Sequence, residues 1–410
     1  MAMLGLLLLF AAAAPAWAQV AGSAEGQVPG SSPERSLVIR GATVMTVVDG
    51  TLAGADVWVR DGRIAGVGTG LQVPLGTPEV PALGRYVTPG IVDPHSHIAT
   101  AGHNNEMTSP FTPEVRIVDV IDPRHREFGL ALAGGTTTQL ILPGSANLIG
   151  GQGVVIKNRV GDPLDRMVVA DAPMAVKFAI GENPIRTYGG KGQTPASRMG
   201  SAAALRQRFA SLRDANDKPR TESDRILQAL VDGDAFAHVH AYRAGEMETM
   251  IGIAGEAGFT IRAFHHATEA YKIGPRLAEA GIAAVTWSDW FGVKPEAWDA
   301  IPWNAAMVLE RGARVALHSD SSDITRRMNQ EAAKVVRYGM TREQALRAIT
   351  LEPAWVIGLQ DRIGSIEVGK DADLVLWSDD PFTVAARVEQ VYIEGQRYFD
   401  RETADAEATP

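Results

Sequence analysis

The sequence contains no cysteine. That absence excludes disulfides, lipid attachment at a cysteine, thiolate metal ligands and cysteine nucleophiles, and an oxidising compartment would not trouble such a chain. Positive charge is also in deficit: 39 Lys and Arg stand against 48 Asp and Glu, a formal net charge of -9. No basic footprint for nucleic acid is present, and polyanionic partners are not expected. There is no internal repeat and no Gly-x-Ser-x-Gly turn for serine catalysis. Long apolar runs are missing except at the start, where Leu4 to Ala14 is followed by Pro15-Ala16-Trp17-Ala18. That run is too short to cross a bilayer comfortably. Ala16-Trp17-Ala18 is a small-x-small cleavage signal with Gln19 as the new N-terminus, although Met1-Ala2-Met3 lacks the usual Lys or Arg. Residues 1–18 are therefore read as a signal peptide, and the mature chain is expected to be periplasmic or secreted, without a membrane span.

What is present suits a large soluble enzyme: 410 residues, 45% hydrophobic and 21% charged, enough for one large domain and a small one. Short β-patterns fill 36–88, with Asp61-Gly62 as a type I′ hairpin signal. From residue 89, apolar strands alternate with helical patterns. Arg124 to Leu132 is a helix stopping at Gly134-Gly135, and Ser223 to Val231 is a helix for which Ser223 is a candidate cap. About eight such strand–helix units over roughly 260 residues suit a (β/α)8 barrel better than a doubly wound sheet. Short strands return at 363–399. The expected organisation is an α/β protein whose small β-domain is built from residues 19–88 and 362–402, with the barrel, residues 89–361, inserted between them and a flexible tail at 403–410.

Asp93-Pro94-His95-Ser96-His97 follows the apolar run Val87 to Val92 and reads as a strand end with two imidazoles on one side. Other polar groups fall where barrel strands should end: His238 and His240, His265-His266, and His318 with Asp320. Seven of the 9 histidines lie at such places, which is where a barrel carries its chemistry. Imidazole and carboxylate are the donors that suit Zn²⁺ and neighbouring divalent ions. Four or five imidazoles exceed the needs of one tetrahedral site, so two metals, or one metal and a substrate-binding histidine, both fit.

Here the chain resembles the amidohydrolase superfamily, specifically its imidazolonepropionase-like and prolidase-like branch. The residues that carry the resemblance are Gly84 to His97, Gly134-Gly135-Thr136-Thr137, Gly181-Glu182-Asn183-Pro184, Val239-His240-Ala241, His266 to Lys272, Leu317-His318-Ser319-Asp320 and Gly364 to Val375. The resemblance implies a barrel with a composite β-sandwich and metal-dependent hydrolysis at carbon. By residue-to-residue match, His95 and His97 are ligands of a first metal, helped by Asp320, and His240 and His266 are ligands of a second. The cofactor is Zn²⁺ or another divalent transition metal, two per chain. His238 matches no ligand and is read as a core or supporting histidine. His265 is read with its ring turned away, since adjacent strand residues face opposite sides. His318 has two open readings, beside the site or hydrogen-bonded within the barrel. The bridging anion is either Glu182, the favoured candidate at the rim, or Lys177 carboxylated by CO₂.

The ligands imply the reaction. A hydroxide generated at the metal attacks a carbonyl carbon, and Asp320 shuttles its proton to the departing nitrogen. The favoured substrate is a linear amide, an N-acyl amino acid or short peptide. The alternative is a cyclic amide hydrolase or amidine deaminase, and a non-catalytic barrel is a third reading. Gln152, in a glycine-rich stretch that lacks dinucleotide-loop spacing, and Arg159 and Arg186, suited to a carboxylate, are candidate substrate contacts. A homo-oligomer is left open.

Overall fold

A computed structural model describes residues 35–214, 221–290 and 292–407; all lie in the unit that runs from Ser32 to Pro410. The expected signal peptide lies outside the described residues. Among them, no helix is long and apolar enough to cross a membrane.

The N-terminal strands are β1 (Leu37–Met45), β2 (Thr51–Arg60), β3 (Arg63–Gly68), β4 (Glu79–Pro81) and β5 (Tyr86–Pro89). The β2–β3 turn is the predicted hairpin: Asp61 and Gly62 have φ of 52° and 83°, the two positive values that a type I′ turn requires. The chain then supplies β6 (Ile91–Ser96), β7 (Thr136–Ile141), β8 (Ile149–Gln152), β9 (Val154–Lys157), β10 (Met174–Ala179), β11 (Ala235–Ala241), β12 (Ile261–His266), β13 (Ala283–Thr286) and β14 (Val315–Leu317). It ends with β15 (Leu374–Trp377), β16 (Val388–Ile393), β17 (Gln396–Asp400) and a helix at Arg401–Glu407, which runs across the expected start of the tail.

Both chain ends build one sheet in the order β17-β16-β15-β5-β1-β2-β3, with β4 beside β1. The join is the antiparallel pairing of β15 with β5, Leu374 opposite Pro89 and Trp377 opposite Tyr86. Its apolar face buries Leu37, Ile39, Val57, Ile64 and Leu374 together.

The barrel-like centre is made of two sheets, β14-β13-β12-β11-β10-β8 and β6-β7-β9. Strands β10 to β14 run parallel, as do β6 and β7. They read as nearly continuous apolar runs because helices cover their outer faces. The Asp320 amide donates to the His95 carbonyl at 3.0 Å, and so links the end of β14 to β6. Two strands depart from the uniform pattern. β9 is antiparallel to β7, and β8 is antiparallel to β10. The glycine-rich stretch around Gly150 is therefore strand. Gly151 permits it with φ of 117°, where a side chain would press into Val115.

Helices take their ends from local chemistry. The helix Glu222–Asp232 is capped by Thr221 rather than Ser223, because Thr221 and Asp224 form a reciprocal capping box. It buries Ile226, Leu227 and Leu230. The helix Arg126–Ala133 stops at Gly134, where a Cβ would sit 2.4 Å from the Arg326 backbone.

Candidate metal centre

The end of β6 is fixed by a buried carboxylate. Asp93 accepts the Ser319 amide at 3.1 Å, the His95 amide at 3.2 Å and the Ser319 hydroxyl. Burial pushes its pKa up to about 6 against those hydrogen bonds. The latch ties β6 to the segment after β14, and so holds Asp320 over the two histidines. Asp320 has φ of 52°, a sparsely populated conformation for a residue with a Cβ, held by this surrounding network.

His95 is fully buried and His97 is at the edge of solvent. Their Nε2 atoms lie 3.2 Å apart, and Asp320 Oδ1 stands 3.5 Å from the first and 3.2 Å from the second. Donor atoms around one tetrahedral zinc, with Zn–N near 2.0–2.1 Å, lie about 3.3–3.5 Å apart. The Nδ1 of His97 is 2.8 Å from the Leu142 carbonyl. A carbonyl only accepts, so this nitrogen carries a hydrogen, and in the neutral ring Nε2 is the free lone pair. The triad thus fits a divalent cation.

A second group lies beside the first. Ligand atoms of His95, His266 and His318 come within 4.8 Å of one another. The His240 and His266 rings meet edge to face at 4.4 Å. His318 is wholly buried and neither of its ring nitrogens has a hydrogen-bond partner; His266 Nδ1 and His240 Nδ1 are also without one. Unpartnered buried donors and acceptors are costly, and a cation is one group that satisfies such lone pairs. Burial holds His95, His240, His265 and His266 well below the usual imidazole range, and His318 at about 4, so all are neutral, the form in which an imidazole can ligate.

Lys177, within β10, is fully buried. Its Nζ is 3.0 Å from the Pro143 carbonyl and 3.4 Å from His95 Nε2. Burial lowers its pKa to about 7, with Asp320 opposing the shift. Glu182 starts the helix Glu182–Gly189 and its carboxylate pairs with Lys294 at 3.5 Å, not with an imidazole.

Several expected positions differ. The His265 ring is not turned away: its Nδ1 is 3.0 Å from His95 Nδ1. Strand alternation applies to extended backbone, and His266 has φ of 71°, so both neighbours reach the cluster. His238 lies behind it, with Nδ1 3.0 Å from His265 Nε2. Gln152 directs its amide to the Pro113 and Glu114 carbonyls. Arg159 bonds to Glu394 and the Arg166 carbonyl, against the composite sheet. Arg186 is exposed on its helix, with no ion pair among the described residues. None of the three meets the imidazoles.

An aromatic wall was not anticipated. Trp287 stacks on His266 at 4.7 Å, Trp290 stacks on Trp287 at 5.0 Å, and Tyr242 lies 5.1 Å from His266. The signal available in sequence was Trp287-Ser288-Asp289-Trp290 directly after the short strand Ala283–Thr286.

Residues 234–399 match the Amidohydrolase family. The crystal structure of an amidohydrolase from Thermotoga maritima MSB8 is 37% identical, covers 89% of this chain and 100% of that one, and superposes with a TM-score of 0.85. The chain belongs to the amidohydrolase superfamily. It is an enzyme of that superfamily, acting on carbon–nitrogen bonds. Amidohydrolase tasK of Hapsidospora irregularis is 32% identical over 361 residues, 78% of this chain; the chain spans only 37% of that relative's length. An imidazolonepropionase of Geobacillus sp. (strain WCH70) is 28% identical, covering 84% of this chain and 87% of that protein.

Proposed function

We propose that this amidohydrolase hydrolyses a carbon–nitrogen bond in or on a planar ring, a cyclic amide or an amidine, using Zn²⁺ or a similar divalent ion. The observation that carries the ring substrate is the stack of Trp290, Trp287 and His266, which leaves Trp290, the exposed ring of the three, beside the cluster as the one able to meet a planar heterocycle. The imidazolonepropionase among its relatives, named for a ring compound, agrees. The linear amide, the reading favoured from sequence, drew on export, the ligand set and arginines to hold a carboxylate, and Arg159 is bonded to Glu394 instead.

His95, His97 and Asp320 would hold one ion. His240 and His266, with His318 beside them, would serve a second. A bound divalent ion supplies Lewis-acid activation of water and polarises the substrate carbonyl. Asp320 accepts the proton of the attacking water and delivers it to the departing nitrogen, whose basicity prevents its leaving as an anion. The carbamate of Lys177, rather than Glu182, would supply the shared anion: the Lys177 amine is within reach of His95 and loses its proton near neutrality, the state in which nitrogen adds to CO₂ and releases a proton. Residues 1–18 are proposed to direct export, with Gln19 as the mature N-terminus in protein isolated from the periplasm or medium.

Purified protein loaded with Zn²⁺, Mn²⁺ or Co²⁺ is tested on cyclic amides and amidines against N-acyl amino acids and Xaa-Pro dipeptides. Ring opening or ammonia release is expected. Turnover confined to the linear substrates would overturn the ring reading, and no bound metal would overturn the metal reading.

A further inference from the structure

We propose that His265 and His238 are positioning residues that fix the ring of His95 through two successive imidazole-to-imidazole hydrogen bonds. The proposal rests on the reading of His95 as a metal ligand. The bonds run from His95 Nδ1 to His265 Nδ1 at 3.0 Å and from His265 Nε2 to His238 Nδ1 at 3.0 Å. All three rings are buried, at 0%, 0% and 1% exposure, so water does not compete for their nitrogens.

A neutral imidazole has one N–H and one lone pair. Three neutral rings in series therefore keep both bonds in only two arrangements. In the first, His95 donates from Nδ1 to His265, and His265 donates from Nε2 to His238. His95 Nε2 is then a lone pair facing His97 and Asp320. In the second, every donor is reversed and His95 Nε2 carries a hydrogen. Only the first permits His95 to ligate, so a loaded site sets the tautomer of His265 and of His238, two rings away. Burial, reinforced by Arg262 and Lys177, keeps His238 at about 3 and so neutral. His238 Nε2 has no hydrogen-bond partner and ends the series. Ligating histidines generally hold their rings through the second nitrogen. In this chain that support comes from another imidazole, with a third behind it.

The test uses the full-length protein with ¹⁵N-labelled histidine. In the Zn²⁺-loaded enzyme, His265 and His238 are expected as Nε2–H tautomers; an Nδ1–H tautomer at either overturns the proposal. In metal-free protein, couplings across both N–H···N bonds are expected, and their absence overturns it too. Chelator competition then measures Zn²⁺ affinity. His265→Leu removes the acceptor and should weaken binding about 10–100-fold. His265→Asn keeps an oxygen where Nδ1 stood and should stay close to wild type, and His238→Phe should fall between. Unchanged affinity in His265→Leu, or equal weakness in the Asn and Leu variants, would overturn the proposal. Should His265→Leu not fold, the Asn variant and the spectra decide it. A wild-type protein that binds no Zn²⁺ would instead sink the metal reading, while the couplings in metal-free protein still test the hydrogen bonds.

Discussion

His97 donates from Nδ1 to the Leu142 carbonyl at 2.8 Å and turns Nε2 toward His95 Nε2, 3.2 Å away. Where both rings are neutral and His95 also offers its Nε2 lone pair, as ligation requires, the two nitrogens and the carboxylate alongside repel unless a cation lies among them. Replacing His97 by Leu should therefore cost the protein most of its bound metal while leaving the fold intact. Metal per chain after dialysis, measured by atomic emission, checks this. Wild-type metal content in a folded His97→Leu protein would remove His97 from the site.

Lys177 and Glu182 are separated by where their charges lie. Lys177→Ala should lose both metal and rate; Glu182→Gln, whose wild-type partner is Lys294, should retain its metal. The reverse result would restore Glu182 as the bridge. The amine also carries a pH signature in metal-free protein. Its folded pKa is about 7, below the unfolded value of about 10.4. Between these values the unfolded chain holds a proton that the folded chain does not, so stability rises with pH. The burden of Lys177 is fully present below about pH 7 and is relieved as pH climbs toward 10. Thermal melts of metal-free wild type and Lys177→Met should therefore converge with rising pH over that window. A pH-independent gap between them would contradict it.

The barrel and its two-ended sheet were legible because their signals are local and periodic: Asp61-Gly62 makes its turn, and β10 to β14 are short apolar runs ending in polar groups. As candidates, His95, His97, His240, His266 and Asp320 are legible because each sits at such an end. Three things were not. Strand alternation misplaced His265, because it assumes extended backbone and His266 has φ of 71°. The burial of Lys177 against the reach of Glu182 depends on side-chain direction, which strand position does not give. Arg159 was a plausible anchor in sequence, but its partner Glu394 is 235 residues away, and no local pattern reports such a pair.

Trp290 is 39% exposed and stacks on Trp287, so it is the member of the aromatic wall that can be removed with least damage to the core. If the wall orients a planar substrate, Trp290→Ala should raise KM for ring substrates by about 2–10-fold, the range of one stacking contact of roughly 0.5–1.5 kcal/mol. KM for a linear amide should change less. Equal changes for both classes would leave the wall a packing feature.

Lys157 makes the strongest case for a residue that serves the fold and not the reaction. It ends β9, is 1% exposed, and pairs with Asp371 at 2.8 Å, Asp373 at 3.1 Å and Glu394 at 3.0 Å. Burial alone would lower its pKa, but the three carboxylates outweigh it and raise the value. These acids lie in the C-terminal part of the chain, so the network fastens the composite sheet to the barrel. Lys157→Met would leave the carboxylates facing one another, with Arg35 and Arg159 at Glu394 and Arg63 and Arg362 at Asp371 as the remaining cations. Removing one partner of a buried ion network costs about 3–5 kcal/mol, and a lowered Tm with unchanged kcat in the folded fraction is expected. The sign of its pH dependence follows. Against burial, Lys157 holds Asp371 and Glu394 below their ordinary range, whereas burial keeps Asp373 above its own despite the ammonium; through the first two, Lys157 stabilises the fold above the carboxylate pKa and ceases to do so as they protonate. The difference in Tm between wild type and Lys157→Met should therefore be largest near neutrality and shrink toward acid pH. A constant difference, or one that grows as pH falls, would show that the network does not act through these charges.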